Sequence, residues 1–222
     1  MSGPVIAIDG PAASGKSSTA AAVANELGAL HLDSGALYRG LTAVALELGS
    51  LDSAEVVRRA VGRGLELRIE GREIVPYLDG TPAEDRIRSA SVTASVSAAA
   101  AIPAIRDWVN TRLRMAATAD RLLVLDGRDI GTVVFPNARL KVFLTATPEA
   151  RAGRRLRQRG DAVTAEAVSQ EARMLASRDA ADASRAVAPL RQAEDAVVID
   201  TSDLSFSAQV EAIVHLARPR LP

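Results

Sequence analysis

Short apolar runs alternate along the chain with longer segments in which apolar residues recur at helical spacing. The apolar runs are continuous, as expected for strands that are buried on both faces of a parallel sheet. They occupy residues 5–9, 122–126, 140–145 and 196–200, with a fifth, shorter run at residues 29–32. Between them, helices are predicted at residues 18–27, 34–48, 103–119, 148–159 and 206–217. This alternation predicts right-handed βαβ connections and an α/β fold with a doubly wound parallel sheet.

Three segments depart from this alternation. Residues 64–80 alternate polar and apolar positions around a tight turn at Glu70-Gly71, which predicts a small antiparallel insert. Residues 151–185 are rich in charge and contain no strand-like run, so we expect a mobile helical lid there. The alanine- and serine-rich residues 89–102 predict a helix with a close-packing face of small residues.

Residues 10–17 carry the sequence Gly-Pro-Ala-Ala-Ser-Gly-Lys-Ser, which fits the pattern G-x-x-x-x-G-K-[ST] at every fixed position. They lie between the first predicted strand and an alanine-rich helix, the context in which such a loop binds phosphate. Backbone N–H groups and the positive end of the helix dipole then converge on one anion. Lys16 is placed to reach the β- and γ-phosphates of a nucleotide, and the Ser17 hydroxyl to bind Mg²⁺. The alternative is a glycine-rich turn without a ligand, but Lys16 and Lys141 are the only lysines among 27 basic residues.

Polar residues follow two further predicted strands, at the edge of the sheet where ligands bind in open α/β folds. Ser34 is a good helix N-cap residue, but Arg39 near the start of the same helix is unfavourable for the helix dipole unless an anion compensates it. Asp126 can hold a water molecule of a Mg²⁺ shell, Arg128 offers a planar fork to phosphate, and Asp129 can accept from an exocyclic amine. The alternative for the second group is a plain turn with a local salt bridge.

Two charged stretches lie in the predicted lid. Arg178, Asp182 and Arg185 are spaced i, i+4 and i+7, and Arg151 and Arg155 are spaced i, i+4, so each set shares one helix face. Taken alone, such faces are usually solvated ion-pair ladders.

Charge and composition narrow the class of protein. The 27 basic and 27 acidic residues cancel and aromatic residues make up 3% of the chain, which argues against nucleic acid or a membrane as a partner. Without cysteine, neither disulfides nor thiolate metal sites are possible. His31 and His215 lack a zinc-type spacing and are expected at the surface or in packing. No leader-like segment or membrane-length apolar run is present, so we expect a cytoplasmic protein.

Together these motifs resemble the bacterial cytidylate kinase family. The resemblance rests on the P-loop, residues 32–39, the D-G-R-D-x-G-T-V-V-F-P run at 126–136, and the R-D-x-x-D-x-x-R-A-V-A-P-L run at 178–190. It implies transfer of the ATP γ-phosphoryl group to CMP or dCMP, directly and in line, with Mg²⁺, giving CDP or dCDP and ADP.

The resemblance also implies roles for single residues. ATP would be bound by Gly10, Pro11, Ala12, Ala13, Ser14, Gly15, Lys16, Ser17 and Ser18, with Arg151 and Arg155 from the lid. Mg²⁺ would be bound by Ser17, with Asp126 through water. The acceptor nucleotide and its phosphate would contact Ser34 and Arg39. The cytosine would be bound by Ser97, Arg106 and Asp129, and the sugar by Arg178 and Asp182. Arg128 and Arg185 would hold the acceptor phosphate. Lys16, Arg128 and Arg185 would be the catalytic cations.

On this basis the chain divides into a P-loop core at residues 1–33, 119–150 and 186–222, a CMP-binding region at 34–118 that includes the 64–80 insert, and a lid at 151–185. We expect a monomer. The alternatives are a P-loop kinase for another acceptor, such as UMP, AMP, shikimate or dephospho-coenzyme A, or a non-catalytic nucleotide-binding switch. A GTPase switch would need the guanine-binding pattern N-K-x-D, and neither lysine lies in one.

Overall fold

The protein is built around a parallel β-sheet. A computed structural model describes residues 3–118 and 120–221, so the predicted boundaries at residues 1, 119 and 222 lie outside the described residues. Five parallel strands lie side by side in the sheet, as predicted. Their spatial order is β2 (Leu30–Asp33), β6 (Leu123–Gly127), β1 (Val5–Asp9), β7 (Leu140–Thr145) and β8 (Val197–Asp200).

Both faces of this sheet are covered by helices. On one face, Ile6 and Ile8 of β1 pack in a buried cluster with residues of α1 (Lys16–Leu27) and α9 (Phe206–Ala217). On the other face, Val5 and Ala7 pack in a cluster with residues of α2 (Gly35–Leu48) and α6 (Pro103–Ala116). Adjacent residues of one strand therefore pack into two different hydrophobic cores, one on each face of the sheet. This is why the strand sequence is apolar throughout.

The predicted antiparallel insert is a hairpin of β3 (Glu66–Glu70) and β4 (Glu73–Leu78). Its two-residue turn is Gly71-Arg72, one residue later than predicted, with Gly71 in the left-handed conformation at φ 62°. The hairpin is continuous with the main sheet, because His31 of β2 pairs in parallel with Glu73 of β4. A two-residue strand β5 (Thr81–Pro82) pairs with the other end of β4.

The remaining helices come before α6 and after β7 in the chain. α3 (Ser53–Gly62), α4 (Glu84–Ile87) and α5 (Ala90–Ala99) precede α6, and the alanine- and serine-rich tract is helical as predicted. α6 ends at Ala116 rather than at the predicted residue 119. The segment predicted as a lid forms a helical hairpin of α7 (Pro148–Arg159) and α8 (Ala165–Ala183). Among the helices of the described residues, none is long and apolar enough to span a membrane.

Candidate active site

A cavity of about 280 Å³ opens at the carboxyl ends of β1, β2 and β6. Three carboxylates end these strands side by side, because Asp33 and Ile8 both align with Asp126 and Asp9 aligns with Gly127. The P-loop, the start of α2, helix α5 and the lid line the cavity. Except for Arg151, every polar side chain that the sequence analysis assigned to a substrate lines this cavity or lies in the P-loop. These lining residues are Lys16, Ser17, Ser18, Ser34, Arg39, Ser97, Arg106, Asp126, Arg128, Asp129, Arg155, Arg178, Asp182 and Arg185.

The P-loop wraps closely over the ends of the neighbouring strands. Ala12, Ala13 and Gly15 face the cavity together with the first residues of α1, whereas Gly10, Pro11 and Ser14 do not line it. Gly10 passes so near β7 that a Cβ atom there would lie 2.1 Å from the carbonyl oxygen of Leu144. This position therefore requires glycine, quite apart from any ligand.

Lys16 lies folded back on its own loop. Its ammonium donates a 2.5 Å hydrogen bond to the Pro11 carbonyl and a 3.3 Å bond to the Ser14 hydroxyl. Burial, followed by the nearby Arg128 guanidinium, holds the pKa of Lys16 well below its usual value. An anionic phosphate in the cavity would reverse this unfavourable environment and favour the charged lysine.

The hydroxyl of Ser17 and the carboxylate of Asp126 are hydrogen-bonded at 2.5 Å, at the edge of the cavity. Such hard oxygen donors suit Mg²⁺, which usually takes one or two protein ligands and fills its shell with water and phosphate oxygens. The described residues contain no cluster of three or more histidine, cysteine or acidic residues that would hold a metal ion alone. The pair therefore fits a metal bound jointly with a nucleotide.

His31 contacts a residue of the candidate site, whereas the sequence analysis expected it to be a surface or packing residue. Its Nε2 atom lies 2.9 Å from Asp126 Oδ1, on the side of the carboxylate opposite Ser17. Burial alone would lower the pKa of His31, but the Asp126 carboxylate outweighs it and raises that pKa. The sequence signal for this contact was a polar residue within a buried strand. The pairing of β2 with β6 brings that residue to Asp126.

A buried ion pair forms part of the cavity wall. Arg106 of α6 is 1% exposed and donates to the carboxylate of Asp129 and, at 3.0 Å, to the Ala100 carbonyl. Its guanidinium carbon lies 5.4 Å from the ring centre of Tyr38. The turn after β6 does not hold the local salt bridge considered from the sequence, because Asp129 pairs with Arg106. Asp129 is thereby fixed as a carboxylate at the cavity surface.

Asp182 of the lid joins the other acceptor-side residues. It is 2% exposed and accepts hydrogen bonds from Ser97 at 3.1 Å, from Arg128 Nε at 3.0 Å, and from Arg185. These partners come from α5, from the turn after β6 and from the end of the lid. One carboxylate therefore connects the three parts of the chain that the sequence analysis separated.

The cations around the cavity are crowded. Burial, with repulsion from Arg128 and Arg39, lowers the pKa of Arg178 to about 10. Burial also lowers the pKa of Arg39, although Asp33 opposes the shift. Ser34 occupies the N-cap position of α2 without capping it; the Asp33 carboxylate accepts the Gly35 N–H instead, at 2.8 Å. The arrangement favours a phosphate ligand, which would relieve the repulsion between arginines.

Arg151, predicted to contact ATP, lies beside the P-loop without lining the cavity. It is 7% exposed, and its guanidinium binds the Ala12 carbonyl and Asp179. Arg155, one turn along α7, does line the cavity, and its guanidinium donates to the Gln158 side chain at 3.1 Å.

Two further residues near the site escaped the sequence analysis. Arg88 lines the cavity and donates to Asp33 at 2.9 Å. Asp9 is buried at the end of β1 and accepts the N–H groups of Ile130 at 2.8 Å and Gly131 at 2.7 Å. Those two residues begin a short π-helix (Ile130–Val134), a feature often found at functional sites. Asp9 thereby anchors the turn that carries Arg128 and Asp129.

Comparison with known proteins gives one consistent family. The family model described as cytidylate kinase matches residues 6–219. A cytidylate kinase of Streptomyces avermitilis is 43% identical over 220 residues, covering 97% of this chain and 93% of that protein. One of Pseudomonas paraeruginosa is 42% identical over 221 residues, covering 96% and 94%.

A solved structure of an uncharacterised protein from Eubacterium ventriosum matches 97% of this chain and 98% of its own, with a TM-score of 0.52 and 9% identity. At that identity the likeness concerns the fold alone. The family match over nearly the whole chain, and relatives above 40% identity over nearly their full length, carry the assignment. The chain belongs to the cytidylate kinase family.

Proposed function

We propose that this protein transfers the γ-phosphoryl group of ATP to CMP or dCMP, giving ADP and CDP or dCDP. Family membership and the chemistry of the cavity support this function together. The observation that carries the choice of base is the buried Asp129 carboxylate, held by Arg106 at the cavity wall. Cytosine presents an amine to such a carboxylate, whereas uracil presents a carbonyl oxygen that the carboxylate repels.

On the donor side, the P-loop N–H groups and the first turn of α1 would hold the ATP phosphates. Lys16 would leave the Pro11 carbonyl and bind the β- and γ-phosphates, where charge shifts during transfer. Arg155 lines the cavity from the lid and would contact ATP. Because phosphoryl transfer needs little covalent work from the protein, these cations act by positioning and by charge neutralisation.

Mg²⁺ fits this proposal as a metal held by Ser17, with Asp126 acting through water. When bound, it would neutralise phosphate charge and orient the γ-phosphoryl group. Asp126 is in turn held by His31, an arrangement typical of residues around metal sites.

On the acceptor side, the CMP phosphate would be bound by Arg39, Arg128 and Arg185. The sugar would be bound by Arg178 and Asp182. The base would be bound by Ser97 and by the Arg106–Asp129 pair. Ser34 would contact the same nucleotide. We further infer a monomeric, cytoplasmic enzyme, with the core, CMP-binding region and lid divided as the sequence analysis expects.

An ADP-coupled assay with a panel of acceptors tests this function. We expect the highest kcat/KM with CMP and dCMP, and at least a tenfold lower value with UMP. Faster turnover of AMP, shikimate or dephospho-coenzyme A would assign another kinase activity. ATP binding without turnover of any acceptor would instead indicate a nucleotide-binding switch.

A further inference from the structure

The lid is fastened to the backbone of the P-loop at Ala12. The Ala12 N–H donates a 2.8 Å hydrogen bond to Asp179 of α8, and the Ala12 carbonyl accepts a 3.0 Å bond from Arg151 of α7. Asp179 and Arg151 are also hydrogen-bonded to each other as an ion pair. Both backbone polar groups of one P-loop residue are therefore bound by the two lid helices.

Apolar contacts accompany these hydrogen bonds. Ala12 forms a small buried cluster with Ala152 of α7 and Leu175 of α8. Ala12 is 2% exposed and Arg151 is 7% exposed, so water competes little for the bonds between them. The contact is built from side chains on both lid helices.

The next residue shows why this attachment matters for the loop. Ala13 lines the cavity with φ at 58°, in the left-handed region that residues with a Cβ atom rarely adopt. Such a conformation persists only where the surroundings hold it. The bonds to Asp179 and Arg151 fix the backbone immediately before Ala13.

We propose that Asp179 and Arg151 are positioning residues of the ATP site: they hold Ala12, and through it Ala13 and the following N–H groups, in the geometry of a phosphate cradle. Neither residue lines the cavity, so neither acts by touching the substrate. The proposal assigns Arg151 a role different from the ATP contact that the family resemblance implies. It rests on the proposed function of the P-loop as the ATP site.

Direct titration with ATP and with CMP tests the proposal in the full chain. Asp179→Ala should raise the Kd for ATP about tenfold and leave the Kd for CMP within twofold. Asp179→Asn keeps an oxygen for the Ala12 N–H but loses the ion pair, so it should restore part of the ATP affinity. Asp161→Ala is the matched control, since Asp161 pairs with Arg159 at the exposed end of the same lid and lies away from the P-loop.

Arg151→Lys is a second, milder variant that keeps the charge but replaces the planar guanidinium, whose Nη1 atom binds both Ala12 and Asp179, with an ammonium. It should weaken ATP several-fold without changing CMP affinity or the melting temperature by more than the Asp161→Ala control. Combining Asp179→Ala with Arg151→Met should cost less ATP affinity than the sum of the two single losses, because the two residues contact each other and both act on Ala12.

Unchanged ATP affinity in Asp179→Ala and Arg151→Lys would overturn the proposal. Equal losses of ATP and CMP affinity, in step with a lower melting temperature, would also overturn it in favour of a general structural role. These titrations need no turnover, so failure of the wild-type protein to phosphorylate CMP would count against the proposed function alone.

Discussion

The hydroxyl of Ser17 donates a 2.5 Å hydrogen bond to the carboxylate of Asp126, so the start of α1 and the end of β6 share one polar centre. If this pair serves Mg²⁺, Ser17→Ala should raise the Mg²⁺ concentration for half-maximal activity at least about tenfold, since even groups that only orient metal ligands are worth 10–100-fold in affinity. Ser17→Thr keeps the hydroxyl and should stay close to wild type. An unaltered Mg²⁺ dependence in Ser17→Ala would remove Ser17 from the metal site.

Replacing Lys16 with methionine should lower kcat by about 10²–10³, the range found for loss of one preorganised donor at other sites. The fold should survive, because the ammonium is bound within its own loop. Lys141→Met is the matched control: Lys141 pairs with Asp195 and does not line the cavity, so kcat should hold even if stability falls. Turnover by Lys16→Met within a factor of a few of wild type would contradict the assigned role.

Asp129→Asn should reduce the preference for CMP over UMP by about 10- to 100-fold, because a hydrogen bond to a charged group contributes about 1.5–3 kcal/mol. Both substitutions remove the negative charge beside buried Arg106, but asparagine keeps an oxygen that accepts its hydrogen bond, whereas alanine removes that acceptor as well. The measurement is kcat/KM for both nucleotides beside a melting curve. Asp107→Asn, at an exposed neighbouring position of α6, serves as control. An equal loss with CMP and UMP would mean that Asp129 does not recognise the base.

Arg155→Ala should raise KM for ATP by about tenfold and change KM for CMP little, because Arg155 lines the cavity from the lid. Arg157→Ala removes an exposed arginine from the same helix and should behave as wild type. Steady-state kinetics with each substrate varied in turn separate the two sites. A larger effect on CMP than on ATP would move Arg155 to the acceptor side.

Asp9 should make stability depend on pH. Burial raises its pKa to about 6, so the folded protein binds a proton that the unfolded chain has released between about pH 4 and 6. The contribution of this proton to the free energy of unfolding is complete below the unfolded pKa of Asp9 and is lost as the pH rises through about 6. Relative to Asp9→Asn, the wild type should therefore lose on the order of 3 kcal/mol between pH 4 and 7, since one pKa unit corresponds to about 1.4 kcal/mol.

Urea unfolding of wild type and Asp9→Asn across that range measures the difference directly. Both proteins share every other titrating group, so acid effects elsewhere cancel. A difference that does not vary with pH would show that Asp9 has an ordinary pKa in the folded protein.

The sequence was most informative where local pattern and tertiary environment agree. Strands such as Val5–Asp9 are apolar on both faces because both faces are covered, and the P-loop motif lies within one short segment that can be recognised without its tertiary contacts. Ion-pair partners were not predictable, because Asp129 and Arg106 are brought together from distant elements. The same limit hid Asp179, which looks like one more acidic residue on a charged helix until α8 is packed against the P-loop.

The junction of β4 with β2 makes the β3–β4 hairpin and the lid differ in how they are attached to the core. The β3–β4 hairpin is tied to the core by the pairing of His31 with Glu73 and by the 3.1 Å bond from Arg72 to the Asn25 carbonyl. A swing of this hairpin would have to shear that junction or drag along the strand that leads to Ser34. The α7–α8 hairpin contributes no strand to the sheet in the described part of the chain. A swing of the hairpin would therefore break backbone pairing within the sheet, whereas a movement of the lid would break contacts between its side chains and Ala12.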